Sequence, residues 1–170
     1  ALHLLGALRA QQHQGEPGDE SDSEDEGGKL DPGMVTAVSL LRCAMAALPP
    51  SEPSATRGRQ LNTLGAVLLN HGAKGSHAAE AADCLREASK LNPDRWAVWH
   101  NLARALAYLE KDAPSDKECL LLEERIGALY SASRIKPEHA GVIYRLGVAL
   151  QASKQSAEAI EALEKYLELA

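Results

Sequence analysis

Pro93 and Pro137 do most to limit what this chain can fold into. Each closes an amphipathic run and is followed three residues on by the start of another: Leu91-Asn92-Pro93-Asp94-Arg95-Trp96 and Ile135-Lys136-Pro137-Glu138-His139-Ala140. Proline has no backbone N–H and its ring clashes with the preceding turn, so a helix does not run through it. Past Pro93, Trp99, Leu102, Ala103 and Leu106 recur at spacings of three, one and three. Past Pro137, Ile143, Leu146, Gly147 and Leu150 do the same. Residues so spaced share one helix face. Leu61, Leu64, Gly65 and Leu68 repeat the pattern upstream, and Leu2, Leu5 and Gly6 repeat it faintly.

Each of these first helices is followed by a second with its own pattern: a small residue, a bulky one four later, and a small or aromatic one three after that. Ala37, Leu41 and Ala44 form one set, Ala81, Leu85 and Ala88 another, and Ala159, Leu163 and Tyr166 a third. The remaining copy, Arg125, Leu129 and Ala132, is degenerate, with arginine where a small residue belongs. Phenylalanine is absent and aromatics are 4%, so the core must be Ala and Leu, which suits closely packed helices.

These residues resemble a tetratricopeptide array, whose repeat is about 34 residues of helix–turn–helix. The resemblance rests on the pairs Leu5-Gly6, Leu64-Gly65, Leu102-Ala103 and Leu146-Gly147, on the small residues of the second helices, and on the closing Pro49, Pro93 and Pro137. It covers nearly the whole chain. It implies an all-α, right-handed helical-repeat solenoid of antiparallel helix pairs, a single array over 1–170 with repeats at about 1–50, 57–95, 96–139 and 140–170.

Insertions interrupt the array. Residues 15–32 hold eight acids and one lysine, a net of −7; the totals of 18 basic and 24 acidic residues leave 17 against 16 elsewhere, or +1. With no apolar side chain between Gly15 and Gly28, this stretch cannot repay the entropy of ordering and is expected to be a disordered loop inside repeat one. Ser21 precedes Glu24, and Ser23 precedes Glu26, by three, which makes both phosphorylation candidates for acidophilic kinases. A smaller insertion spans 110–116, after which a long helix is expected from Lys117 through Ser133, capped by Ser115 or Asp116. His71 and His77 flank the internal turn of repeat two and read as surface histidines. Cys43, Cys84 and Cys119 read as small hydrophobes on second helices, with neither disulfide nor zinc spacing.

The near-neutral remainder argues against a nucleic-acid partner, and no apolar run approaches the ~18 residues of a membrane span. The leucine-rich start lacks the basic region and cleavage site of a signal peptide, so an intracellular, cytoplasmic setting is expected. Starting at Ala1 inside the repeat pattern, the chain is expected to be a piece of something longer.

No catalytic signature is present. Lys74-Gly75-Ser76 is in the wrong order for a phosphate loop, and no paired carboxylates, metal set or cofactor motif accompanies it. The expected protein is non-catalytic, with no cofactor and no metal. Helical solenoids instead present a concave groove lined by first helices. The resemblance places Arg59, Asn62, Thr63, Ala66 and Asn70 there from repeat two. Repeat three supplies His100, Asn101, Arg104 and Tyr108, and repeat four Gly141, Tyr144, Arg145, Val148 and Gln151. Asparagine hydrogen-bonds peptide backbones, arginine forks onto carboxylates, and tyrosine supplies flat amphipathic area.

Against the clamp that chaperone-binding members carry, this chain keeps Asn101 and Arg145 but departs at Asn62, Ala66 and Gly141. Asn101 fits the asparagine ladder of members fused to glycosyltransferases, while Leu4, Thr63 and Arg145 do not. The expectation is therefore an interaction scaffold gripping a peptide or helix of a protein partner, acidic or extended. The alternative is the substrate-recognition arm of a larger glycosyltransferase or hydroxylase. Self-association is a further expectation, through exposed Leu163, Tyr166 and Leu167 on an uncapped last repeat.

Overall fold

The structure, a computed structural model, describes residues 32–47, 49, 54–71 and 77–169. The expected first helix of repeat one, the acidic loop with Ser21 and Ser23, and most of the turn between His71 and His77 lie outside these residues. Among those described the chain is all-α: α1 (Pro32–Ala46), α2 (Ser54–His71), α3 (Ala78–Leu91), α4 (Trp96–Lys111), α5 (Ser115–Ile135), α6 (Ala140–Ala152) and α7 (Ser156–Leu169). Each helix packs chiefly on its neighbours in sequence, with α2 also touching α4, as in a helical-repeat solenoid.

The small-over-bulky pattern explains the closest contacts. A Cβ built on Gly65 would stand 2.7 Å from Leu85 Cγ, and one on Gly147 would stand 2.6 Å from Leu163 Cγ. Each leucine of a second helix thus sits where the first helix has no side chain. Leu85 is fully buried and Leu163 is 6% exposed. Between α4 and α5 the equivalent residues are Ala103 and Leu129, both buried. The turns follow the prolines. Asn92, which ends α3, donates from Nδ2 to the Ala55 carbonyl of α2 (3.0 Å), and Trp99 Nε1 donates to the Pro93 carbonyl (2.7 Å). His139 opens α6, its Nδ1 accepting from the Val142 N–H at 3.3 Å.

The second helices are joined in one repeated register. The residue five past the small position of one helix reaches the residue just before the small position of the next: Arg42 to Glu80, Arg86 to Glu124, Tyr130 to Glu158. Arg86 holds Glu124 with both Nε and Nη2, each at 2.8 Å, and Tyr130 donates to Glu158 at 2.6 Å. That hydrogen bond, which favours the protonated phenol, pushes the Tyr130 pKa up to about 12. One register at three junctions sets α1, α3, α5 and α7 side by side along one face, leaving α2, α4 and α6 to line the other.

Several sequence expectations change. At the degenerate small position the arginine has a partner the sequence did not show: the Arg125 guanidinium lies 2.8 Å from Glu110 at the end of α4, with the two side chains 12% and 15% exposed. Burial raises the Glu110 pKa and lowers that of Arg125, the cost of holding this pair out of water. Neither Ser115 nor Asp116 caps α5. The helix already starts at Ser115, its N-cap Pro114 has no side chain to offer, and Asp116 and Glu118 lie in the first turn, where negative charge suits the helix dipole. Of the cysteines, Cys84 is half-buried against the core, but Cys43 and Cys119 face solvent. His77 is half-buried at the start of α3 rather than on the surface. Leu163 is not exposed, because Gly147 opens a seat for it, and Tyr166 packs on Tyr144 with ring centres 5.2 Å apart. Leu167 and Leu169, at 48% and 37%, are the large apolar side chains that the last helix leaves exposed among the described residues.

Candidate functional site

The groove face is built by residues at i, i+3, i+4 and i+7 on successive first helices, which the helical period aligns. On α4, His100, Asn101, Arg104 and Tyr108 are half-buried. Asn101 Nδ2 donates to Asn62 Oδ1 on α2 at 3.1 Å, and Arg104 Nη2 donates to Asn70 Oδ1 at 2.8 Å. Two amides of α2 and two side chains of α4 thus form crosslinks along one row. A predicted line of binding residues is in part a hydrogen-bonded strip that holds its own geometry.

Between α4 and α6 the strip opens. A cavity of about 300 Å³ is lined by Arg104, Ala107, Tyr108, Lys111 and Arg145, and a smaller one of about 130 Å³ brings Tyr144, Arg145 and Val148 to Ala103, Ala107 and Arg125. The Lys111 ammonium lies 6.0 Å from the centre of the Tyr108 ring. Among the described residues neither lining contains a carboxylate. Arg104, Lys111 and Arg145 make no ion pair among the described residues. Burial and then the Arg104 charge hold the Arg145 pKa below its ordinary value. Burial, with Arg145, His139 and Arg104 nearby, pushes His100 down to about 4, so it is neutral at neutral pH.

The structure brings Asn62, Asn70, His100, Asn101, Arg104, Tyr108, Tyr144 and Arg145 onto this face. Arg59 and Gln151 stand apart: Arg59 is exposed and turned to Thr56 Oγ1 of its own helix (2.9 Å), and Gln151 is exposed at the end of α6. Four contributors went unread in the sequence. Lys111 is seven residues past Arg104, two turns along the same face, and that spacing was the available signal. Trp96 and His139 pack with ring centres 4.5 Å apart, each 5.7 Å from His100, and Lys136 lies 4.6 Å above Trp96. No pattern on one helix could show this cluster, because it joins the start of α4 to the turn before α6.

The described side chains include no group of three His, Cys, Asp or Glu able to hold a metal ion, and no described helix is long and apolar enough to cross a membrane.

No family model and no curated protein matches the chain. Solved structures do. MamA from Desulfovibrio magneticus RS-1 superposes with a TM-score of 0.62 at 20% identity, over 81% of this chain and 66% of that one. A further MamA crystal structure gives 0.64 at 18%, over 83% and 75%. YrrB, described as a TPR protein with an unusual peptide-binding site, gives 0.60 at 19%, over 81% and 60%. This chain thus spans less than two thirds of the D. magneticus MamA and YrrB structures. At such identities the likeness concerns the fold, and the fold is that of a tetratricopeptide-like helical solenoid.

Proposed function

We propose that the chain is a non-catalytic interaction module that holds an extended peptide, or one face of a helix, from a protein partner along the strip from Asn62 to Arg145. The observation that carries this reading is the pair of crosslinks Asn62–Asn101 and Asn70–Arg104. They hold polar side chains in a row across two helices while other donors stay free. Asn101 has a second amide hydrogen and Arg104 four further N–H groups to offer a bound backbone or carboxylate. A side chain already held by its neighbour loses less entropy on binding. Tyr108 and Tyr144 add aromatic area beside the cations. The peptide-binding site described for the similarly folded YrrB agrees with this use of the fold.

The test replaces Asn101, Arg104 and Arg145 together with alanine. All three are half-buried or exposed, so the melting temperature should hold while capture of partners from cell extract is lost. Partners retained by a variant that melts normally would overturn the reading.

A further inference from the structure

The charges of the solenoid are sorted by helix. α2, α4 and α6, which line the groove, carry five basic residues, Arg57, Arg59, Arg104, Lys111 and Arg145, against one acid, Glu110, a net of +4. α1, α3, α5 and α7 carry seven basic residues against eleven acids, a net of −4. The seven helices together are neutral, so the groove is basic by placement and not by composition.

Two of the groove charges are already matched: Arg57 meets Glu87 at 3.1 Å, and Glu110 is taken by Arg125. Three of the four cations that remain, Arg104, Lys111 and Arg145, line the cavity of about 300 Å³ between α4 and α6. α4 has no acid besides Glu110 and α6 has none, so neither helix facing the cavity can balance them. Burial, and then the nearby Arg104 charge, hold the Arg145 pKa down, as like charges around one space should. An anion in that space would turn each repulsion into an attraction.

Charge and geometry select among anions. A carboxylate brings one charge and two oxygens, enough for one guanidinium fork. A phosphate monoester brings about −1.5 to −2 charges and three terminal oxygens, enough for two forks and an ammonium. Two arginines and a lysine are that set. Ala107 fills little of the space between them, and Tyr108 adds an aromatic wall with the Lys111 ammonium 6.0 Å from its ring centre. Of the five positions of the chaperone-tail clamp, only Arg145 lines this cavity.

We propose that the cavity lined by Arg104, Tyr108, Lys111 and Arg145 is a binding site for a phosphorylated serine or threonine side chain of the partner's peptide. The inference rests on the groove reading and adds to it the chemistry of one partner residue. Asn101, held by Asn62, stands about one turn before Arg104 on α4, so the amide row can take peptide backbone beside the seat for the phosphate. Phosphorylation of the partner then switches its capture.

The probes are three short fluorescent peptide pools of degenerate sequence, alike except for a central phosphoserine, glutamate or serine, titrated by anisotropy into the full chain. The phosphoserine pool should bind about tenfold or more tighter than the glutamate pool, with the serine pool weakest. Excess inorganic phosphate should displace it, and added salt should weaken it. Arg104→Ala with Arg145→Ala should remove the preference, as should Lys111→Ala alone, whose exposed position at the end of α4 keeps the test intact if the double variant melts early. Equal binding of the phosphoserine and glutamate pools would overturn phosphate as the occupant, and so would a phosphoserine pool that does not bind. A preference that survives both sets of replacements would overturn the site. Serine and phosphoserine pools bound alike, and both lost when Asn101, Arg104 and Arg145 are replaced together, would overturn this inference and leave the groove reading standing.

Discussion

The two faces of the solenoid use charge in opposite ways. On the face made by the second helices, Arg42, Arg86 and Tyr130 each meet a glutamate of the next helix in one register. On the face made by the first helices, Arg104 donates to a neutral amide, Arg104, Arg145 and Lys111 have no ion pair among the described residues, and His100 is kept uncharged. Both faces come from the same helical repeat, so the difference is not one of fold. Where charges are answered inside the chain they fix how one repeat sits on the next. Where they are unanswered they are available to something else. A polar surface is a candidate site when its side chains are held in place without being neutralised.

The largest way to break the comparison is to remove the frame that carries both faces. Gly65→Leu forces bulk onto Leu85, where even one Cβ comes within 2.7 Å, and should cost about 1–3 kcal/mol by thermal or denaturant unfolding, with binding falling in step. Gly127 is the control. A Cβ there meets nothing within 4 Å, so Gly127→Ala, inside α5, should raise stability by about 0.5–1 kcal/mol and leave both faces alone.

Acid should test the groove side selectively. The folded pKa of His100, about 4, lies below its ordinary 6.5, so on acidification the unfolded chain takes up the proton first. The contribution of this histidine is complete above about pH 6.5 and is lost as pH falls toward 4. His100→Gln should flatten that part of a melting-temperature profile between pH 7 and 4.5. A profile as steep as the native one would mean that other groups carry the acid sensitivity. The smallest effect belongs to the far face: Arg86 and Glu124 are 36% and 38% exposed, so Arg86→Ala should cost only about 0.2–1 kcal/mol and not alter partner capture.

The fold was legible because its rules are local. A proline-led turn, a leucine stripe and a small residue opposite a bulky one are each written within a dozen residues, and Gly65–Leu85 and Gly147–Leu163 show those rules at work. Most of the candidate groove residues were legible for the same reason, since a first helix aligns Asn101, Arg104 and Tyr108 by period alone. What escaped was pairing between elements. The partner of Arg125 was not visible because Glu110 lies at the end of the preceding helix. Trp96 and His139 met only when one helix start folded against a later turn. Leu163 looked exposed because the pattern shows which residues are apolar, not which are covered.

The central claim is that charge on one face holds the repeats together and charge on the other is kept for a partner. The most direct measurement sets Arg86→Ala beside the Arg104→Ala, Arg145→Ala double variant, recording melting temperature and partner capture for both. The account predicts a crossed result: Arg86→Ala melts slightly lower and captures partners as the native protein does, while the double variant melts as the native protein does and captures none. Loss of capture by Arg86→Ala, or its survival in a folded double variant, would contradict it.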